Sequence, residues 1–419
     1  MRAPALACLL ALTALAAPAL AGPPRLVKQL EVTTDRDFRL LNPDRYVQVR
    51  TERETGAEPD LTLDALLPSV LDLHALEVAR LRVDLRALYG ERAAMFLDGQ
   101  ALRRNQGGRA FPTFRARLLS YDPERKRCGL LLDNSADGEA DGWRNRWLYL
   151  PWDPVSGALG KEVVLREDQG GKAERYQRFF VELGPDPSGR HQYFLSMQAL
   201  PSAEQPDRAA GRLAISRLDL DALALEPVHA FDTPTSNNKN VYQGYRWAFS
   251  PDGTWLALAE YSEADLEPID PPPAVHLVDL AKRGHFSMPV RHTPYGLVFS
   301  ADNRRLVVAS SQDRKLTPYD LEKRVRGKEA GAPSRVHQAA LCRDGKSLLL
   351  FPRGRAMELR DLVSLKLQRS LPVARLLPGS PALDAERMAV TLDRRYAVVP
   401  PADEHGFGHE HGLYVLELP

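Results

Sequence analysis

Three stretches of this chain repeat one pattern, an apolar run, a tight turn and a second apolar run. They are WAFSPDGTWLALAE (247–260), GLVFSADNRRLVVAS (296–310) and AALCRDGKSLLLF (339–351). Asp with Gly or Asn makes each turn, and apolar residues flank it on both sides, which is the signal of a β-hairpin. Looser copies are RARLLSYDPERKRCGLLLD (115–133), FFVELGPDPSGRHQYFLSM (179–197) and MAVTLDRRYAVVP (388–400). A chain built from such units needs neighbouring copies to cover the apolar faces of each.

A second mark recurs after the hairpins: an apolar stretch ending in an acidic residue, usually followed by Leu or Pro. It occurs at Asp84, Asp153, Asp219, Asp279, Asp320, Asp361 and Glu417, with spacings of 69, 66, 60, 41, 41 and 56 residues. The shorter spacings match the length of a four-stranded propeller blade, about 40–45 residues. The longer ones leave room for loops. Over nearly all of residues 22–419 the sequence resembles the WD-repeat, TolB-like and YVTN propeller families, on the FSPDG-type turns and the acidic marks. The full Gly-His and Trp-Asp marks of the WD-repeat family are absent, so the resemblance implies a fold and not a eukaryote-style scaffold.

The expectation is therefore an all-β, seven-bladed β-propeller as one domain, with third strands near 84, 153, 219, 279, 320, 361 and 417. The seventh blade ends at its third strand. RLVKQLEV (25–32) alternates suitably to supply the missing outer strand, which would close the ring and remove its open edges. LTLDALLPSVLDLHALEVARL can hold a helix, but ARLRVDL alternates as a strand, so this stretch is read as an insert within the first blade. Two separate β domains are the rival arrangement.

Residues 1–21 read as a secretory signal peptide: a positive start, an Ala- and Leu-rich run broken by Pro18, and an Ala19-Leu20-Ala21 site before Gly22. Cys8 lies inside the apolar run, which argues against lipoprotein processing. No later segment reaches the length that spans a bilayer. A bacterial periplasm is the expected destination. With 56 basic and 55 acidic residues there is no polyanion-binding signature, and so no expectation of nucleic acid. Cys128 and Cys342 fall in different blades, so both are expected to be reduced and buried.

Three constellations carry possible chemistry. DNSADGEADG places Asp133, Ser135, Asp137, the Glu139 carbonyl and Asp141 at calcium-loop spacing, with Gly138 for the sharp turn. It resembles the calcium loop of FG-GAP propeller repeats and implies a structural Ca2+. It is not an EF-hand, because Arg144 stands where the closing Glu belongs; a solvated acidic turn is the alternative. HGFGHEHG supplies His405, His409 and His411, which suit a transition metal, although three glycines fix no geometry and an exposed polar loop is the favoured reading of the residues. Finally, Arg175, Arg246, Arg291, Arg335 and Arg375 precede or enter innermost strands, with Asn240, Tyr242, Tyr245 and His292 in equivalent loops. Around a channel mouth they would form a cup for a carboxylate, a phosphate or an acidic sugar.

No G-x-S-x-G occurs, and no Cys stands beside a His partner. The leading functional expectation is a non-enzymatic envelope protein that binds a protein partner or a small, anionic ligand on its loop-rich face. A lactonase- or hydrolase-like site at the channel mouth, resembling the YVTN group, and a metal-handling role for the His loop are the alternatives.

Overall fold

A computed structural model describes residues 22–34, 38–55, 63–88, 102–104, 110–112, 115–133, 143–170, 178–200, 210–234, 243–262, 274–310, 313–332, 336–352, 356–378, 383, 388–401 and 411–419. The strands form seven antiparallel sheets of four or five strands, together with a separate two-stranded hairpin, Leu102–Arg104 with Ala110–Pro112. The fold is a seven-bladed β-propeller. The innermost strands of blades one to seven are Arg39–Leu40, Arg115–Ser120, Arg178–Pro185, Gln243–Phe249, Pro294–Phe299, Val336–Leu341 and Ala389–Val390.

Blade seven joins both ends of the chain. Arg25–Thr33 pairs antiparallel with His411–Glu417, bringing Leu26 opposite Leu416 and Leu30 opposite Leu413. That supplies the outer strand expected of RLVKQLEV.

Seven apolar clusters lie between successive blades, and they explain why the strands alternate so strictly. Leu256 and Leu258 pack back against blade three, whereas Ala257 and Ala259 pack forward against blade five. The cluster holding Val47, Val49 and Leu71 of blade one with Tyr396, Val398 and Val415 of blade seven closes the circle. Each blade thus has both faces covered by its neighbours, which accounts for near-complete burial of its middle strands.

The first hairpins of blades four, five and seven turn by one device. In blade four the Ser250 amide donates to the Trp255 carbonyl, the Trp255 amide donates to Ser250 Oγ, both at 2.9 Å, and Gly253 takes a φ of +70°. Ser300 with Arg305 and Thr391 with Tyr396 repeat these bonds in blades five and seven. The left-handed position there falls to Asn303 and Arg394.

The acidic marks shape the other turn. Asp219 accepts from the amides of Asp221 and Ala222, each at 2.9 Å, and four residues on Leu223 takes a left-handed φ of 53°. Burial opposes ionisation of Asp219, but the Ala222 amide, the Arg190 guanidinium and the Asp221 amide outweigh it and hold the carboxyl at about 2. The same offset links Asp153 to Gly157, Asp279 to Arg283, Asp320 to Arg324 and Asp361 to Leu365.

Blade one corrects the expected register. Its third strand is Leu63–Asp72, Asp72 accepts from the amides of His74 and Ala75, and Leu76 has the left-handed φ. Asp84 instead ends the short strand Val83–Asp84, which pairs with Leu66 and Ala65 on the outer side of the third strand. An acid followed by Leu occurs at both positions. Only Asp72 is followed by the turn, because Arg86–Leu88 winds into a 3-10 helix. The LLPSVLD stretch that could have been helical is part of this strand.

Cys128 and Cys342 are buried thiols in blades two and six, as expected from their separation. Among the described residues, no helix is long and apolar enough to cross a membrane.

Candidate functional site

Innermost strands have one direction left in which to place a charge, since their two faces are occupied by neighbouring blades. That direction is the central channel. Arg39, Arg117 and Glu182, from the innermost strands of blades one, two and three, meet there. Arg39 Nη1 donates to Glu182 Oε2 at 3.0 Å, and Arg117 Nη2 stands 3.3 Å from the same oxygen. A second Arg39 nitrogen donates to the Leu118 carbonyl. Glu182 is almost fully covered, with 7% of its side chain exposed, so its charge is paired inside the ring and not solvated.

These residues line a cavity of about 590 Å³ in the channel, which also receives Arg246 from blade four and Gln338 from blade six. The Arg246 guanidinium lies 5.8 Å from the Tyr295 ring centroid. Among the described residues that line the cavity are the guanidiniums of Arg39, Arg117 and Arg246 and the carboxylate of Glu182. Trp247, 38% exposed, and Phe180 supply apolar wall. Phe180 is held in place by stacking on Phe194, ring centroids 5.2 Å apart.

No protein-family model and no curated protein sequence matches this chain. Among solved structures, the chain is similar to one in a crystal structure of a mitotic checkpoint complex. That similarity has 12% identity and a TM-score of 0.48, and covers 100% of this chain and 99% of that one.

Of the arginines expected at the channel mouth, the structure brings Arg246 into the channel. Arg291, exposed, and His292, half-buried, lie in the loop leading to Pro294–Phe299 and do not line the cavity. Arg375 is exposed on the one-turn helix Val373–Leu376. Tyr245 is packed into the core between blades three and four. Arg175, Asn240, Tyr242 and Arg335 lie outside the described residues.

Of the calcium set, Asp133 ends the strand Gly129–Asp133 and pairs with Trp147, while Ser135, Asp137, Glu139 and Asp141 are outside the described residues. His405 and His409 are likewise outside them. His411 opens the strand that pairs with the N-terminal segment, opposite Thr33. Among the described residues, no group of three or more His, Cys, Asp or Glu side chains stands where it could hold a metal ion.

Arg39, Arg117 and Glu182 were not anticipated. The signal that marks them is a charge inside the first strand of a hairpin, as in DFRLL, RARLL and FFVEL, where both strand faces are otherwise apolar. A second group also went unread. His229 Nε2 and His285 Nδ1 are 2.9 Å apart, bridging the outer strands of blades three and four, and Phe231 stacks on His285 with ring centroids 4.2 Å apart.

Proposed function

We propose that this chain is an exported, non-enzymatic binding module of the cell envelope, which engages a protein partner or a small ligand on the face where the long second-to-third-strand connections gather. The observation that carries this reading is the closed ring. The recurrent Asp, Ser and Thr residues of the repeats are spent on turns, as at Ser250, Asp219 and Asp72, and build framework. A closed ring whose second-to-third-strand connections differ in length from blade to blade suits recognition. Export follows from the leader at residues 1–21, and a structural Ca2+ at 133–141 would stiffen one of the presented loops.

The test is site-specific photo-crosslinking from positions in 134–142 and 402–410, in cells and with chain secreted from its own leader. Capture of one defined envelope protein, and a mature N-terminus at Gly22, are the expected results. Turnover of an ester or lactone by purified protein, with no partner captured, would overturn the reading. Elemental analysis of untagged protein tests the calcium.

A further inference from the structure

We infer that His229 and His285 form a surface site for one divalent metal ion of tetragonal preference, copper or nickel, which clasps blade three to blade four. The inference is independent of the reading of the ring as a partner-binding module.

The strands decide which side chains meet. His229 and Phe231 are two apart on Ala224–Pro234, the outer strand of blade three, so they share one face. Gly284–Pro289 is the outer strand of blade four, where His285 stands opposite Val278, a residue of the apolar cluster between the two blades. The two outer strands belong to separate sheets. Imidazoles bridge them, with His229 Nε2 and His285 Nδ1 2.9 Å apart.

The spacing selects the ion. Two nitrogens 2.9 Å apart, each bound at about 2.0–2.1 Å, subtend an angle of about 90° at the metal. That is the cis angle of square-planar and octahedral coordination, the geometries of Cu2+ and Ni2+. A tetrahedral ion needs its nitrogens about 3.3–3.4 Å apart, so Zn2+ fits less well. The two ring nitrogens share one proton. On metal entry that proton passes through water to the other nitrogen of its own ring, both imidazoles stay neutral, and each presents a lone pair to the ion.

The rings are held by their neighbours. Phe231, 5% exposed, stacks on His285 with ring centroids 4.2 Å apart and planes 20° apart, and lies 5.9 Å from His229. Phe231 is also 5.0 Å from the buried ring of His276, whose Nδ1 lies 2.8 Å from Ser287 Oγ. A buried aromatic packed in this way restricts the imidazole planes and lowers the ordering cost of binding. His285 is exposed and His229 half-buried, so the pair is open to solvent. Among the described residues no third His, Cys, Asp or Glu completes a set with them. The remaining coordination positions fall to water, which makes the site an open, exchangeable one.

Calorimetry and electron paramagnetic resonance on the metal-free, untagged mature chain test this, in a His405→Ala, His409→Ala parent that leaves the C-terminal loop one imidazole. Cu2+ should bind one per chain, and Ni2+ should bind more tightly than Zn2+. The copper spectrum should be axial, with coupling to two nitrogens. His229→Ala and His285→Ala should each weaken Cu2+ by about tenfold or more and remove one nitrogen from the coupling. His74→Ala, at an exposed histidine of blade one, should bind as the parent does. The thermal midpoint of the parent should rise with Cu2+, and that of either seam variant should rise less. Copper spectra without nitrogen coupling, equal affinities in the parent and both seam variants, Zn2+ binding more tightly than Ni2+, or no Cu2+ binding up to about 1 mM would overturn the inference. The nitrogen coupling and the order of metals are read on the parent, so they decide the matter even if a variant fails to fold.

Discussion

Arg25 Nη2 donates to Glu417 Oε2 across 2.6 Å, joining two residues 392 positions apart in the sequence. The bond marks the ring's clasp without being what holds it. Arg25 is 75% exposed at its side chain, and exposed ion pairs contribute little. The holding comes from strand pairing and from Leu26, Val27 and Leu30, which pack against the cores flanking blade seven. Arg25→Ala should therefore change unfolding free energy by less than about 0.5 kcal/mol in urea. Deleting residues 22–33 should abolish the cooperative transition and give aggregates on size exclusion, because the strand His411–Glu417 becomes an open edge. A monomeric deletion variant with an unchanged midpoint would show that the ring closes without its clasp.

Asp72 and Asp84 give a sharp test of register in blade one. Asp72 caps a turn through the His74 and Ala75 amides and takes a bidentate bond from Arg45, at 2.9 and 2.7 Å. Asp72→Ala should cost about 1–2 kcal/mol in chemical denaturation. Asp84 bonds locally with exposed Arg86, so Asp84→Ala should cost less than about 0.5 kcal/mol. The reverse order would put the third strand at Asp84.

The hairpins could be read from sequence because their information is local: the hydroxyl or acid that opens the turn, the left-handed residue within it and the alternation on either side all fall within about a dozen residues. The acidic mark misled at Asp84 because Asp-Leu is common to both candidate sites and the left-handed Leu76 leaves no compositional trace. Blades one and seven were harder, since their innermost strands, Arg39–Leu40 and Ala389–Val390, are two residues long. The channel was legible only in part. Arg39, Arg117 and Glu182 come from three blades, and only closure of the ring turns three scattered strand charges into one cluster.

Burial raises the thiols of Cys128 and Cys342 to about 12, so at neutral pH neither is a nucleophile. Ellman's reagent should find both silent in the folded protein and both reactive in denaturant, with thermal midpoints equal with and without reductant. A thiol that reacts rapidly under native conditions would contradict the packing around it.

Burial first, and then the neighbouring His229 and His276, lower the affinity of His285 for a proton below its ordinary value of 6.5. A base that binds its proton less well folded than unfolded contributes stability above the unfolded value, and that contribution is lost as pH falls through the folded one. Thermal midpoints should therefore drop as pH is lowered from about 6.5 towards 5. His285→Asn should flatten part of that slope and leave midpoints at pH 8 close to those of the unaltered protein. An equal slope in both proteins would remove the histidine contact as its cause.

Gly129 begins the second strand of blade two, where a Cβ would lie 2.3 Å from ring atoms of Tyr149 and 2.4 Å from its hydroxyl. That ring cannot step aside: Tyr149 is 1% exposed, its hydroxyl lies 3.2 Å from Ser120 Oγ, and it fills the core between blades two and three. The backbone at Gly129 is ordinary, so the requirement for glycine is one of space and not of φ. Gly129→Ala should destabilise by about 1–3 kcal/mol, the range for overpacking a filled core. Tyr149→Leu opens a cavity and should be costly by itself, yet the double variant should lose less than the two single losses combined, because the methyl enters space that the ring has left. Strict additivity in urea denaturation would mean that the two side chains do not meet, and that the seam between blades two and three is packed in some other way.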